Sequence, residues 1–285
     1  MRIAVPRMFP HAGLLSPRYA SDDPRSPGFR ADRVDVDLRQ CDFIGPAAVL
    51  WCGVYPLLAS AKGITCRVLV PENMGVCVYL QSVGLFGVLR DASIEVDDRG
   101  VRPRTDAQIV LPLARFREEA EVEDLANQTL EALARSGLGS GNIHALVSEV
   151  FAELALNAVQ HSESQIGGFG FIQFYESEHG RRFICAVSDG GIGIRGSLER
   201  NPALRDRVPY DWVAIELALR ERISGTGSAT RGIGLYGVAE DMRRPGRELI
   251  LHSGIGMLET SEDIESSSRR TTLFPGTLAY ASIAT

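Results

Sequence analysis

A stretch from residue 142 to residue 161 carries polar side chains where a helix would bury apolar ones. On a helical wheel its apolar residues form a broad arc, with Asn157 inside that arc and Glu153 at its edge. The two residues are four apart, so their side chains meet on one face. An unpaired buried amide costs about 1–3 kcal/mol. An amide oxygen beside a carboxylate can hold Mg²⁺ and position a water; the alternative is an asparagine that bonds a local backbone group beside solvated glutamates.

An aspartate and three glycines follow a strand-like run that ends at Val187. Asp189 stands where the chain turns, and an ionised carboxylate there can accept a hydrogen bond from an amino group such as that of adenine. Gly191 and Gly193 permit close approach of a ligand to the backbone and positive φ angles. The alternative interpretation is a tight turn that binds nothing.

A glycine-rich stretch over residues 225–235 precedes another helix-like segment. Backbone N–H groups at a helix N-terminus attract phosphate, and Arg231 adds positive charge, although a flexible linker would have the same composition. The only lysine is Lys62, and it lacks the neighbours of a phosphate-binding P-loop. The same count excludes a eukaryotic-type protein kinase and a Schiff-base enzyme, because both need a lysine in the site.

The elements that must position these residues divide the chain into two units. We expect an extended or loosely ordered lead-in over 1–30, a small α/β domain over 31–106 with a β-α-β-α order, and a second unit over 107–285. Period-two alternation predicts a strand at 33–38, and apolar periodicity predicts the helices. The predicted helices cover residues 46–61, 76–89, 118–135, 142–161, 210–222 and 234–242. The strands predicted late in the chain cover residues 170–175, 183–187, 248–252, 256–260 and 277–282.

Composition places the chain among ordinary globular proteins, with 285 residues, 45% hydrophobic and 23% charged. The net charge is −6, without a basic block, so we expect no nucleic-acid or membrane partner. Five cysteines without a recognisable pairing pattern, together with the absence of a signal-peptide pattern, predict a cytoplasmic location. The uncharged stretch 43–61 is long enough to consider as a membrane span, but its glycines and prolines favour a buried turn and helix.

Four motifs in a fixed order together resemble the GHKL ATPase superfamily over residues 107–285. They are Glu-x₃-Asn-x₃-His on a helix, Asp-x-Gly-x-Gly-Ile after a strand, Gly-Ile-Gly-Leu after a glycine-rich loop, and Gly-Thr opening the last strand. The resemblance implies a Bergerat-fold α/β sandwich, a mixed sheet with helices on one face, that binds ATP with Mg²⁺.

The resemblance also assigns roles to individual residues. Glu153 would be the catalytic base or water-positioning residue, Asn157 the magnesium ligand, and Asp189 the acceptor for the adenine amino group. Residues 195–231 would form the ATP lid. The remaining binding residues would be His161, Gly191, Gly193, Ile194, Arg231, Gly232, Gly234, Leu235 and Thr277.

The first unit is similar to the STAS family, on the runs 34–38, 41–46, 62–68 and 80–85. That family carries Asp-Ser after its Phe-Ile pair, and the serine is phosphorylated. Here Gly45 and Pro46 occupy those positions, so a phosphoserine switch is not expected there. The role left for this unit would be that of a docking or dimerisation surface.

The function implied is that of a regulatory protein of the anti-sigma serine-kinase type, in a bacterial partner-switching-like system. It would hydrolyse ATP or transfer its γ-phosphate to a protein Ser or Thr; the alternative is an ATP-gated interaction module with little turnover. A histidine autokinase is excluded, because none of the five histidines has a phosphoacceptor's surroundings. The expected partner is a regulatory protein, such as a STAS or sigma-factor-like protein, and a homodimer is left open.

Overall fold

The chain folds as an α/β protein with a parallel and an antiparallel sheet. The structure is a computed structural model. It describes residues 1–11, 22–104, 108–178, 180–220, 234–261 and 267–285. Within these ranges there are eight α-helices and eleven strands.

Residues of the first hundred positions form a four-stranded parallel sheet. Its strands, in spatial order, are β1 (Arg2–Ala4), β3 (Arg33–Asp37), β5 (Thr65–Leu69) and β6 (Glu95–Val96). Two further short strands, β2 (Met8–Phe9) and β4 (Phe43–Ile44), pair with each other in parallel. Of the two alternatives expected for the lead-in, extended or loosely ordered, the first residues adopt the extended one, and Ile3 and Phe9 within them are fully buried.

Three helices accompany the parallel sheet: α1 (Pro46–Ala61), α2 (Met74–Ser82) and α3 (Leu85–Asp91). Proline at the first position of α1 suits a helix start, because its missing N–H would have no partner there. The single helix predicted over 76–89 is wrong. Gly84 interrupts it with a φ of +93°, a conformation that glycine adopts without strain.

A five-stranded sheet occupies the second half of the chain. In spatial order its strands are β10 (Arg247–Ser261), β11 (Ser267–Ala284), β9 (Gly180–Asp189), β8 (Gly168–Ser177) and β7 (Ile109–Phe116). Every neighbouring pair is antiparallel, so the predicted mixed sheet is wrong. The strands predicted at 248–252 and 256–260 are one strand, β10, with a register irregularity between Ser253 and Gly256.

Two long helices and three short ones complete the second half. They are α4 (Glu119–Ser136), α5 (Gly141–His161), α6 (Gly193–Glu199), α7 (Asp211–Ala218) and α8 (Gly234–Met242), with a 3₁₀ turn at Arg205–Arg207. Glu118 and Glu121 form a capping box that fixes the start of α4. Because α6, the 3₁₀ turn and α7 lie in it, the described part of the region after residue 195 is more helical than its polar composition predicts.

Alternation along the antiparallel strands divides the hydrophobic core between the two faces of the sheet. Phe171 and Leu278 pack in one cluster with α1, while Ile172 and Ala279 pack in another with α5. The prediction of helices on one face is therefore incomplete, since α1 from the first hundred residues covers the opposite face. The cavity described below opens on the α5 side.

The remaining expectations concern α1 and the cysteines. Residues 46–59 of α1 are buried, as expected for a core helix. Among the described residues no helix combines the length and apolar character needed to cross a membrane. All five cysteines are buried and unpaired.

Candidate functional site

A cavity of about 630 Å³ lies between α5, the end of β9, α6 and the start of α8. Of the residues singled out in the sequence, one group lines this cavity together: Glu153, Asn157, His161, Asp189, Gly193, Ile194, Gly234, Leu235 and Thr277. Gly191 is not among the residues that line it. The predicted residues Arg231 and Gly232 fall outside the part of the chain that the structure describes.

Helix α5 supplies Glu153 and Asn157 on its cavity side. The Asn157 side-chain nitrogen donates a hydrogen bond of 2.7 Å to the backbone carbonyl of Glu153. This hydrogen bond agrees with the alternative interpretation of Asn157, in which the amide bonds a local backbone group. It also orients the amide, because one N–H is used within the helix and the oxygen is the atom that Asn157 can offer to a metal ion.

Burial and a neighbouring charge change the acidity of Glu153. Its carboxyl is half-buried, and burial raises its pKa, with a further contribution from the negative charge of Glu149 one helical turn away. Gly234, the first described residue of α8, packs so closely on this carboxyl that a larger side chain would collide with it. A carboxyl with a raised pKa, held against a cavity, is suited to accept a proton from a bound water.

Asp189 ends β9 and is the most deeply buried carboxylate of the site, 4% exposed. The Gly191 N–H donates to its Oδ1 at 2.8 Å, and the backbone of Thr277, its cross-strand neighbour on β11, also bonds to the carboxylate. Burial raises the pKa of Asp189 to about 6, partly opposed by these bonds and by the positive charge of Arg25. The carboxylate is therefore ionised at neutral pH but titrates close to it.

Two glycines shape the turn after Asp189 in different ways. Gly193 has a φ of +74°, a conformation that glycine adopts without strain, and a side chain there would also meet the Ser253 hydroxyl. Gly191 has no positive φ; it is packed against the backbone of Ser162, and any side chain there would collide with that carbonyl. The Ile192 N–H donates to the same carbonyl at 2.8 Å, which ties the turn to the end of α5.

Ser253 is a buried residue of the site that the sequence analysis does not identify. Its hydroxyl donates to the Gly276 carbonyl at 3.1 Å, accepts from the Ile194 N–H at 2.9 Å, and lies 3.2 Å from the Thr277 hydroxyl. It thereby joins β10, β11 and the start of α6 beside the cavity. A serine within an apolar strand pattern gives no sequence signal for this role.

Part of the predicted lid can be described. Residues 195–220 contain most of α6, the 3₁₀ turn and α7, and they enclose a small apolar cluster that includes Leu198, Leu204 and Leu217. Leu198 also lines the cavity. Residues 221–231 of the predicted lid, like Arg231 itself, lie outside the described residues.

The donor set on the cavity suits Mg²⁺, since the Asn157 amide oxygen and the carboxylates of Glu149, Glu153 and Asp241 are hard oxygen ligands. Among the described residues, however, no three acidic, histidine or cysteine side chains are grouped closely enough to hold a metal themselves. A magnesium ion at Asn157 would therefore need further oxygen ligands from a bound phosphate compound and water.

Comparison with protein-family models finds no match for this chain, and neither does a search of curated proteins.

Proposed function

We propose that this chain binds Mg·ATP in the cavity between α5, β9, α6 and α8, as a regulatory protein of the GHKL type. The proposal includes the finer architecture, a STAS-like domain over 31–106 followed by a Bergerat-fold domain over 107–285. One observation carries it: nine residues selected from separate motifs, on five different elements or turns, line a single cavity of about 630 Å³. That volume is within the usual range for a site that holds a nucleotide-sized ligand.

The chain's own residues would divide the work as follows. Asp189, ionised and fixed by backbone N–H groups, accepts a hydrogen bond from the adenine amino group. Asn157 offers its amide oxygen to the magnesium ion. Glu153 positions the attacking group and takes its proton. The bound Mg·ATP supplies a transferable phosphoryl group whose charge the metal neutralises.

The acceptor of that phosphoryl group is water or a protein Ser or Thr, and the partner we propose is a regulatory protein of the STAS or sigma-factor-like kind. A location in the cytoplasm and the absence of a nucleic-acid partner belong to the same proposal. The acidic net charge of −6 supports the absence of a nucleic-acid partner. The raised pKa of the Glu153 carboxyl on the cavity wall supports the phosphoryl chemistry.

Calorimetric titration of the chain with ATP and Mg²⁺ tests the binding site. We expect the wild type to bind ATP, and Asp189→Asn to weaken that binding at least tenfold, because the adenine amino group loses a charged acceptor. Asp124→Asn, at an exposed position on α4, is the matched control and should bind like the wild type. Absence of binding by the wild type, or equal affinity in Asp189→Asn, contradicts the proposed site.

Phosphate release and phosphoryl transfer to a protein test the chemistry separately. We expect Glu153→Gln to bind ATP with nearly wild-type affinity and to lose turnover, because the amide cannot accept the proton. Turnover retained in Glu153→Gln would reject Glu153 as the base. A wild type that binds ATP without releasing or transferring phosphate would instead establish the ATP-gated interaction module.

A further inference from the structure

A short N-terminal segment, residues 22–25, reaches from helix α1 to the turn that follows Asp189. At one end the Tyr55 hydroxyl of α1 donates a hydrogen bond of 2.8 Å to the Asp22 carbonyl. At the other end an Arg25 guanidinium nitrogen, Nη1, donates to the Gly191 carbonyl. The segment therefore connects helix α1 to the turn that begins at Asp189, a residue that lines the cavity.

Asp23 fixes the direction of the Arg25 side chain. The Arg25 Nη2 lies 2.7 Å from Asp23 Oδ2, its Nε lies 3.0 Å from Oδ1, and its backbone N–H donates to Oδ1 at 2.8 Å. The two side chains are only 28% and 18% exposed. A guanidinium held by two oxygens of one carboxylate has little freedom left, so its Nη1 is directed at Gly191 before any ligand binds.

Arg25 acts on Asp189 through this contact and through its charge. Gly191 is held at its carbonyl by Arg25, and its N–H donates to Asp189 Oδ1. The positive charge of Arg25 also lowers the pKa of the Asp189 carboxyl, against the larger effect of burial. Both effects favour an ionised Asp189 in a fixed orientation.

We propose that Arg25 is a positioning residue for nucleotide recognition: it holds the Gly191 turn and, through the Gly191 N–H, the Asp189 carboxylate, so that adenine binding depends on the N-terminal segment. This inference rests on the proposed function, since it assigns a second residue to the same site. It makes residues 22–25 part of the nucleotide site although they lie more than 160 positions away in sequence from Asp189.

The test is ATP affinity measured between pH 5 and pH 8 for the wild type, Arg25→Gln and Arg25→Lys. In Arg25→Gln the pH midpoint of binding should move upward. An upward move of one unit lowers the ionised fraction of Asp189 about fivefold at pH 6 and about twofold at pH 7. Arg25→Lys keeps the charge and should restore much of the wild-type midpoint.

Two controls separate positioning from general structural damage. Arg30→Gln alters a neighbouring arginine whose Nη1 bonds the Pro27 and Phe29 carbonyls, and it should leave the profile unchanged. In an Asp189→Asn background, Arg25→Gln should cause no further shift of the midpoint. The phosphate groups of ATP titrate alike in all variants, so differences between variants report the protein.

Each outcome decides a separate question. A wild type that binds ATP with an Arg25→Gln midpoint equal to its own overturns the role of Arg25 and leaves the site in place. A weaker affinity at every pH without a midpoint shift, accompanied by a lower melting temperature, shows that Arg25 only stabilises the fold. A wild type that does not bind ATP overturns the proposed function, and this inference with it.

Discussion

The two faces of the antiparallel sheet differ in what covers them. On one face α1 packs directly on the strands, and residues such as Phe171 and Leu278 are fully buried. On the other face α5, α6 and α8 leave a cavity of about 630 Å³ lined by Glu153, Asp189 and other polar groups. One strand, β9, thus contributes to a closed core on one side and to a candidate binding site on the other.

Buried ionisable groups show what this difference means chemically. Asp189 on the cavity face and His252 on the packed face are both almost completely buried, and burial drives each toward its neutral form. The pKa of Asp189 is raised to about 6, and that of His252 is lowered to about 3. Burial alone therefore does not mark a site; Asp189 is distinguished by the cavity that a ligand can enter.

The comparison predicts that an added methyl group is tolerated where the cavity wall is open, as at Gly237, and destabilises the fold where the chain is closely packed. Gly191→Ala should cost about 4 kcal/mol or more, because the new methyl group collides with the Ser162 backbone, which cannot rotate away. Gly237→Ala is the matched control. It lines the cavity on α8 with no atom near its added methyl, so it should gain up to about 1 kcal/mol from helix propensity.

Urea denaturation of both glycine variants measures these effects. A Gly191→Ala variant as stable as the wild type would show that the turn is more open than the structure has it. A loss of stability in Gly237→Ala would show that the cavity wall is closed in solution.

The next prediction compares two leucines at neighbouring positions on opposite faces. Leu278→Ala on the packed face should cost about 3–4 kcal/mol, because α1 prevents the hole from being filled. Leu251→Ala on the cavity face should cost nearer 2 kcal/mol, because the space joins a cavity that water can enter. Equal losses, measured by the same denaturation, would indicate that both faces are packed alike.

The sequence predicted most of the elements, and it did so where local signals are strong. The helix at 234–242 matches α8, and α5 differs by one residue at its start, because capping and apolar periodicity are local properties. The sheet pattern was predicted less well. Whether β11 pairs with β9 in parallel or antiparallel depends on contacts between residues far apart in sequence, such as Asp189 and Thr277, and periodicity says nothing about them.

The residues of the candidate site likewise divide into those that the sequence predicts and those that it does not. Glu153 and Asn157 share one helix face by spacing alone, and the cavity contains both. Arg25 and Ser253 come from distant segments and bond to Gly191 and Ile194 beside the cavity, and neither stands in a recognisable motif. Gly191 was expected at the cavity wall, yet a glycine can serve close packing as well as ligand approach, and the sequence does not separate the two.

The packed face should respond to acid through its buried histidine pair. His11 Nε2 lies 3.1 Å from His252 Nδ1, and His252 Nε2 lies 2.8 Å from the Thr272 carbonyl. Burial lowers the pKa of His11 to about 4, with help from the charge of Arg269. A lowered pKa means that the unfolded chain binds the proton more tightly, so stability present above pH 6.5 is lost as pH falls toward 4.

The variant His11→Gln removes one of the two titrating groups. The decline in free energy of unfolding between pH 6.5 and pH 4 should become shallower by roughly 3 kcal/mol, from a lowering of about 2.5 pKa units. His144→Gln, at the start of α5, also removes a histidine but keeps both members of the pair, and it serves as the matched control. Parallel decline in all three proteins would show that the pair is hydrated in solution.

The cavity face should show the opposite sign through Asp189. Its folded pKa of about 6 lies above the ordinary value of 3.8, so the folded chain holds the proton more tightly. The stability that Asp189 contributes is present below pH 3.8 and is lost as pH rises through 6, by roughly 2–3 kcal/mol.

The variant Asp189→Asn removes that titration. Its free energy of unfolding should therefore improve relative to wild type as pH rises from 4 to 7, while ATP affinity falls. A difference that is constant with pH would mean that the Asp189 carboxylate is already solvated through the cavity, and the contrast between the two faces would then lie in packing alone.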